Sequence, residues 1–270
     1  MRYSVTAGGK RLRPILCLAS AEAVGGDRRL AMPAACAIEM IHTYSLIHDD
    51  LPAMDNDTMR RGLPTLHVVA GEGMAILAGD GLLTEAFDLL AGQPRATDAL
   101  TVERTLEVIQ IIAAAAGPRG MVGGQAIDLA CVTPDSRGHF PPPLDAEGLR
   151  RMHGKKTGAM IRVSAAAGAI MGGGTGEQIT AIDNAAGEFG LAFQIVDDIL
   201  DVEGASADLG KTAGKDAMAG KPTYPALYGL ERSRAMAGEC LQRAESTLRA
   251  ARVADSHLLA IGRWIVERSN

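Results

Sequence analysis

The sequence predicts an all-α protein built as one large domain. Hydrophobic residues make up 47% of the 270-residue chain and charged residues 22%, so the chain can bury a sizeable core. Aromatic residues make up only 3%, which argues against β-sandwiches and β-barrels because these rely on aromatic and β-branched side chains. Long stretches rich in Ala, Leu and Met carry apolar residues at three- and four-residue spacing, as amphipathic helices do.

These helical stretches follow one another along most of the chain. In the first of them, Ile38, Ile41 and Ser45 share one face. The predicted helices are Ala34–His48, Gly73–Leu90, Leu100–Ala116, Leu149–Met171, Ile179–Val202, Tyr224–Ala251 and Leu258–Arg268. Clusters of Pro and Gly predict loops at Pro134–Leu144, Gly172–Gly176 and Gly204–Pro222. None of these loops resembles a long interdomain linker, so we expect a single domain over residues 1–270.

Charge and cysteine content restrict the classes of function. The net charge is −5, which argues against nucleic acid as the main partner because phosphate backbones attract basic surfaces. The four cysteines contain no Cys-x-x-Cys pair, so a zinc site or a redox motif has no support. Because no signal peptide and no apolar run of ~18 residues is visible, we expect no membrane span and a cytoplasmic location.

Two acidic clusters are the main candidates for chemistry. Asp49, Asp50 and Asp55 form the first, and the motif Asp197-Asp198-Ile-Leu-Asp201 forms the second. Each follows an apolar helical run, and Asp197 and Asp201 lie one turn apart on one helix face. Pro52 should end the first helix, so that Asp55 reaches back from a loop. Carboxylates this close repel one another unless a hard divalent cation such as Mg²⁺ lies between them.

Basic segments accompany the acidic clusters. Gly8-Gly9-Lys10-Arg11-Leu12-Arg13 lies near the start, and Arg60-Arg61 follows the first acidic cluster. Lys155-Lys156-Thr157, Lys211 and Lys221 add further cations. Arg binds phosphate oxygens in bidentate fashion and Lys supplies a point charge. Any one segment could be a surface charge run, but together they predict a site for two highly anionic groups.

With these motifs in order, the sequence resembles the trans-polyprenyl diphosphate synthases over essentially its whole length. HDDLPAMDNDTMRRGLPT (48–65) resembles the family's first aspartate-rich motif and FQIVDDILDVEG (193–204) the second. GGKRLRP, HGKKTGA and LGKTAGKD…GKPTYPAL match further family motifs. The Asp-Asp-x₄-Asp spacing is closest to bacterial farnesyl diphosphate synthase. The resemblance implies a helical bundle of the isoprenoid synthase type around a central active-site cavity, and a homodimer.

Two departures from the family pattern matter. About one further helix usually precedes GGKRLRP, and it is missing here. Thr58 occupies the second position of the usual Asp-Asp pair, which leaves Asp57 alone and makes it a poor candidate for a primary ligand.

The resemblance also implies a reaction and a set of roles. Isopentenyl diphosphate would be joined to a dimethylallyl or geranyl diphosphate whose allylic C–O bond ionises. Three Mg²⁺ ions would be held by Asp49, Asp55 and Asp197. Asp50, Asp198 and Asp201 would be further ligands or would support the ligands from behind. Arg60, Lys156, Lys211 and Lys221 would hold the allylic diphosphate, and Thr157 and Gln194 would lie beside the allylic carbon. Isopentenyl diphosphate would bind Lys10, Arg13, His42 and Arg61, while His48 would be structural.

Tyr44 predicts the product length. It precedes Asp49 by about 7.5 Å along the helix axis, where in this family a bulky residue closes the apolar pocket. Ser45, the next residue, is small. We therefore expect a farnesyl product, with geranylgeranyl diphosphate as the alternative.

Competing interpretations leave parts of the sequence without a purpose. The Gly204–Thr212 spacing misses a P-loop by one residue, and Arg60 and Leu66 occupy the Gly and Glu positions of an EF-hand loop. A His-Asp phosphohydrolase would not need the second acidic cluster. A terpene cyclase would not need the cations Lys10 and Arg13. A non-catalytic subunit of a heteromeric synthase should lack an acidic motif, yet both are intact.

Overall fold

Helices provide almost all of the regular structure in the computed structural model, which confirms the all-α prediction. The structure describes residues 1–93, 95, 98–134, 136–207, 223–253 and 256–268, without the side chains of 204–207 and 256. The helices of the first half are α1 (Arg2–Val5), α2 (Leu12–Ala23), α3 (Arg28–Asp49), α4 (Leu66–Ala70), α5 (Glu72–Gly92), α6 (Ala99–Ala116) and α7 (Met121–Val132). Those of the second half are α8 (Ala146–His153), α9 (Ala159–Met171), α10 (Gly176–Ala207), α11 (Tyr224–Tyr228), α12 (Leu230–Ala250) and α13 (Ser256–Glu267).

Two short elements interrupt the helices. A two-stranded antiparallel hairpin, β1 (Met59–Arg60) and β2 (Leu63–Pro64), follows the first acidic motif. A π-helical turn, Gly154–Gly158, separates α8 from α9. Single-turn π-bulges occur often at functional sites because they redirect side chains out of the helical repeat.

Two adjoining apolar clusters form the interior. The first contains the buried faces of α3, α5 and α9, with Ile38, Ile41 and Leu82 at most 2% exposed. The second lies between α10, α12 and α13 and contains Phe189 and Leu248. Helices α2 and α9 contribute buried residues to both clusters, so the two clusters adjoin along these helices.

Small residues permit the closest helix contacts. A Cβ at Gly168 of α9 would overlap the carbonyl of Cys17 in α2, so this pair of helices packs backbone against backbone. Helix starts are stabilised by side-chain caps, since Asp27 accepts from the N–H of Arg29 at 2.9 Å and Asp98 accepts from that of Thr101 at 2.9 Å.

The predicted helices are found, with differences at glycines. The predicted helix 149–171 is divided by the π-turn, and 224–251 is divided at Gly229, whose φ of +81° ends α11. The sequence patterns missed α1, α2, α4, α7 and the hairpin. The predicted loop 134–144 is confirmed in its described residues. The loop predicted at 204–222 begins too early, because α10 continues through 204–207. The remainder of the loop predicted at 204–222 lies outside the described residues.

Helix α3 is the one described helix with the length and composition to cross a membrane. Half of its most apolar window is buried inside the protein, and it packs on α2, α5 and α9. Because a central core helix has these same properties, the expected lack of a membrane span stays a prediction. The single domain over 1–270 and the cytoplasmic location also stay predictions.

Candidate active site

A cavity of about 400 Å³ lies between α3, α7 and the π-turn. Its wall combines predicted site residues with apolar side chains. They are Arg13, His42, Tyr44, Ser45, Leu46, His48, Asp49, Met54, Met121, Val122, Gln125, Ala126, Leu129, Lys156 and Thr157. Acidic, basic and apolar groups therefore meet in one space, as an amphiphilic anionic ligand requires.

The first acidic motif lies where α3 ends. The helix ends at Asp49, three residues before Pro52, and the chain turns back so that the N–H of Asp55 donates to the carbonyl of Asp49 at 2.8 Å. This confirms that Asp55 returns from a loop. Burial, together with the nearby carboxylates of Asp55 and Asp50, raises the pKa of Asp49 to about 6 against the opposing pull of Lys156 and Arg60. A cation at this point would relieve both causes.

Asp50 and Arg60 pair with each other. Asp50 is 4% exposed, and its Oδ1 accepts from Arg60 Nε at 2.7 Å and contacts a terminal guanidinium nitrogen at 2.6 Å. The hairpin brings Arg60 back to the helix end. The predicted roles were metal binding for Asp50 and diphosphate binding for Arg60. Here the two charges pair with each other, as do those of Lys156 and Asp128, and both roles stay predictions. The pair of Asp50 and Arg60 anchors the loop that carries Asp55.

The second acidic motif lies on one face of α10. Gly190, Gln194, Asp197 and Asp201 share this face at helical spacing. A Cβ at Gly190 would lie 3.2 Å from the Cα of Gly158, so the face turns toward the π-turn of the cavity wall. Asp197 Oδ1 accepts from Arg268 at 2.7 Å. Burial raises the pKa of Asp197, against the opposing pull of Arg268, Lys10 and Arg13.

Asp198 points elsewhere. It is 7% exposed, and its Oδ2 accepts from the backbone N–H of Tyr224 at 2.9 Å. Its neighbour Asp197 belongs to a different helix face, because successive residues are rotated by about 100° in an α-helix. The placement of Asp198 does not favour the predicted metal role and indicates that it holds the start of α11.

The predicted isopentenyl diphosphate residues gather as a positive cluster. Burial and the nearby guanidinium groups of Arg13 and Arg61 hold the pKa of His42 well below its usual value, so His42 is neutral at pH 7. Burial lowers the pKa of Arg13 to about 10, and its Nε is buried without a hydrogen-bond partner among the described residues. Burial also lowers the pKa of Lys10, which lies near Asp197 and Arg268. An anion would satisfy this cluster.

The π-turn places Lys156 and Thr157 on the cavity wall. Lys156 Nζ contacts the buried Asp128 Oδ2 at 2.5 Å, and α7 approaches so closely that a Cβ at Gly124 would overlap the backbone of Lys156. Lys211 and Lys221, also predicted to hold the allylic diphosphate, lie outside the described residues.

Sequence reasoning missed three site residues. Asp128 pairs with Lys156, and Arg268 binds Asp197. Gln125 lines the cavity, and its buried Oε1 has no hydrogen-bond partner among the residues that the structure describes. The Gly-Gly-Gln-x-x-Asp pattern of α7 was the only available signal for Asp128 and Gln125. None existed for Arg268, which lies 71 residues from its partner.

The number of carboxylates at the candidate site is compatible with Mg²⁺. In the described part of the chain, no three His, Cys, Asp or Glu side chains converge as a metal cluster. Mg²⁺ commonly binds one or two carboxylates, with substrate phosphates and waters completing its six ligands. Asp49 with Asp55 at the end of α3, and Asp197 on α10, are the candidate carboxylates for such a site, and burial raises the pKa of Asp49 and of Asp197.

Residues 1–255 match the polyprenyl synthetase family. The chain belongs to this family. It is a prenyltransferase with the helical-bundle fold of the family, as the sequence resemblance indicated.

Individual relatives of this polyprenyl synthetase differ in their named products. Geranylgeranyl pyrophosphate synthase 3 of Arabidopsis thaliana is 51% identical over 92% of this chain and 67% of its own. The heterodimeric geranylgeranyl pyrophosphate synthase large subunit 1 of the same plant is 48% identical over 100% of this chain and 71% of its own. The crystal structure of an FPP/GFPP synthase from Zymomonas mobilis is 40% identical, with a TM-score of 0.83 over 98% of this chain and 86% of that one.

Proposed function

We propose that this prenyltransferase joins isopentenyl diphosphate to an allylic diphosphate and makes farnesyl diphosphate. The observation that carries the proposal is the composition of the cavity wall, where Asp49 and Lys156 border an apolar pocket that contains the buried ring of Tyr44. A polar mouth suits a diphosphate, and an apolar interior suits a growing prenyl chain.

The two diphosphates would occupy different surroundings. Asp49, Asp55, Asp197 and Lys156 would hold the allylic diphosphate, with Mg²⁺ supplying charge neutralisation for the leaving group. Lys10, Arg13, Arg61 and neutral His42 would hold isopentenyl diphosphate directly. The low pKa of His42 suits this role as a hydrogen-bonding group among cations, because the neighbouring arginines would repel a further positive charge there.

The ionisation step would be guided by the π-turn and α10. Thr157 lies on the cavity wall, and Gln194 lies on the face of α10 that turns toward it. Their side-chain oxygens would stabilise positive charge at the allylic carbon. The double bond of isopentenyl diphosphate would attack that carbon, and the departing pyrophosphate would accept the proton that is lost.

The first test is condensation by the purified protein. It should convert isopentenyl diphosphate and either dimethylallyl or geranyl diphosphate, with Mg²⁺, into farnesyl diphosphate. Asp197→Ala should lower turnover by about 10²-fold or more, because it removes charge stabilisation from the leaving group. A folded wild-type sample without condensation would contradict the proposal, and near-wild-type turnover of Asp197→Ala would contradict its assigned role.

Tyr44 should set the product length. Its ring is 8% exposed and packs edge-on against His48 with ring centroids 5.7 Å apart, while His48 Nε2 lies 3.1 Å from the carbonyl of Ile76 in α5. This packing fixes the ring at the pocket wall. Tyr44→Ala should therefore lengthen the product by at least one five-carbon unit in chain-length analysis. Tyr228→Ala, at an exposed tyrosine, should leave the product length unchanged. An unchanged product from Tyr44→Ala would assign the limit to another residue.

Geranylgeranyl diphosphate is the second candidate product. The plant relatives at 46–51% identity are mostly named as geranylgeranyl pyrophosphate synthases, and Ser45 beside Tyr44 leaves space in the wall. Chain-length analysis of the wild-type product separates the two candidates. A non-catalytic role in a heteromeric synthase would appear as folded protein that is inactive alone.

We also propose a homodimer. Helices α4, α5 and α6 carry strongly exposed apolar side chains, among them Val69, Met74, Leu77 and Leu106 at 55–64% exposure. Such concentrations of exposed apolar side chains are typical of association surfaces.

A further inference from the structure

Arg268 has an unusual environment for an arginine. Its side chain is 1% exposed. One terminal nitrogen donates to Asp197 Oδ1 at 2.7 Å and to the carbonyl of Phe193 at 2.8 Å, and the guanidinium lies 4.1 Å from the centroid of the Phe193 ring. Arg268 thus binds one carboxylate oxygen of Asp197, and the ring of Phe193 packs against the guanidinium group that does so.

Stability alone does not account for this arrangement. The other terminal nitrogen of Arg268 is buried with no hydrogen-bond partner in the described part of the chain. A buried donor without a partner is costly, and buried ion pairs often add little net stability because both charges lose hydration. An arrangement with this cost calls for a functional explanation.

The two oxygens of Asp197 are used differently. Oδ1 accepts the short bond from Arg268, while the only contact of Oδ2 within the described residues is a long one of 3.5 Å with Gln194 Nε2. A carboxylate held through one oxygen keeps its other oxygen at a defined position. Partners of this kind orient metal ligands in many proteins.

We propose that Arg268 is a positioning residue that fixes Asp197 through Oδ1 and leaves Oδ2 for a divalent cation. The inference rests on the proposed function, since that function requires a cation at Asp197. Arg268 itself touches neither the cation nor the reacting carbon. The ring of Phe193 supports it, and Lys10 Nζ lies 5.8 Å from the centroid of the same ring.

The test is metal binding without turnover. Mn²⁺ with inorganic pyrophosphate is titrated into the full chain and followed by electron paramagnetic resonance. Arg268→Met should weaken Mn²⁺ binding by about 10-fold to 100-fold, the usual effect of losing such a partner, and Arg268→Lys should restore part of it. Arg263→Met is the matched control, because Arg263 lies on α13, which ends one residue before Arg268, but is exposed and pairs with Glu245 at 3.3 Å.

A double-mutant cycle identifies the route of the effect. If Arg268 acts through Asp197, Arg268→Met should change Mn²⁺ binding by less than twofold in an Asp197→Ala background. A full effect in that background would overturn the inference. Unchanged or tighter Mn²⁺ binding by folded Arg268→Met would also overturn the inference. Tighter binding would show that Arg268 competes with the metal for Asp197.

Phe193→Leu is a second variant that tests the same contact. If Arg268→Met does not fold, Phe193→Leu removes the supporting ring instead and should weaken Mn²⁺ binding severalfold, while unchanged binding would overturn the inference.

The inference and the proposed function can fail separately. If the wild-type protein condenses its substrates and Arg268→Met binds Mn²⁺ as the wild type does, only the role of Arg268 is contradicted. Wild-type protein that neither condenses nor binds Mn²⁺ with pyrophosphate contradicts the proposed function.

Discussion

At the residue scale, the sites of greatest electrostatic cost coincide with the sites proposed for chemistry. Asp49 has a pKa raised to about 6 by burial and by neighbouring carboxylates, and Arg13 keeps a buried Nε without a partner among the described residues. Clusters of perturbed groups in a cleft are typical of functional sites. The free protein therefore tolerates repulsion that bound ligands and cations would remove.

Asp49→Asn should stabilise the ligand-free protein at pH 8 but not at pH 4. Because the pKa of Asp49 rises from 3.8 to about 6 on folding, its ionisation destabilises the folded state progressively between these values and fully above pH 6. Partial exposure screens the effect, so we expect a gain of about 1 kcal/mol in the free energy of unfolding at pH 8. Urea unfolding at both pH values measures it. An equal gain at pH 4 and pH 8 would contradict the electrostatic cause.

At the element scale, the π-turn determines which side chains reach the cavity. Within five residues, Gly154–Gly158 shifts the helical repeat between α8 and α9, and Lys156 and Thr157 both line the cavity. Contact with α7 supports this geometry at two points, the close approach at Gly124 and the ion pair of Asp128 with Lys156. Helix α7 therefore helps to form the candidate active site although it contains no acidic motif.

Gly124→Ala should lower catalytic turnover far more than it lowers helix content. The added methyl group would overlap the backbone of Lys156 and so displace the π-turn from the cavity, and a small misplacement of catalytic groups can reduce the rate by about 10²-fold. Steady-state kinetics with circular dichroism provide the measurement. Gly238→Ala is the control, because a Cβ there meets nothing within 4 Å and alanine favours helix. Equal turnover in the two variants would contradict the proposed role of Gly124.

At the scale of the whole molecule, the distribution of exposed apolar residues distinguishes one side of the bundle. Helices α5 and α6 are packed neighbours, and Leu77 and Leu106 project from them at 64% and 62% exposure. The cavity wall contains His48, whose ring contacts the carbonyl of Ile76 in α5. Association through α5 would therefore be linked to the wall that limits product length.

Leu77→Glu should convert the proposed homodimer into monomers. A charge placed in an apolar interface loses its hydration without a partner, so the dimer should dissociate at micromolar protein concentration. Sedimentation velocity gives the mass. Phe140→Glu, at a 67% exposed loop residue, should leave the mass unchanged. A wild-type protein that is already monomeric would contradict the proposal.

Much of this site was predictable because its chemistry is concentrated in local motifs. Asp49, Asp55, Lys156 and Thr157 each lie in a short segment whose composition indicates anion or cation binding, and the helices around them follow from apolar spacing. Local patterns did not show that Asp197 and Asp198 have different partners. Adjacent residues in sequence face different neighbours on a helix, and only packing showed that Asp198 binds the N–H of Tyr224.

The sequence alone determined the helical class, the family and the two aspartate motifs, since periodicity and motif spacing are properties of neighbouring residues. Tertiary structure decided which charges pair. Asp50 with Arg60, Asp128 with Lys156 and Asp197 with Arg268 are joined across 10, 28 and 71 residues. The physical reason is that the energy of a charge depends on its burial and its distance from other charges, and folding alone sets both.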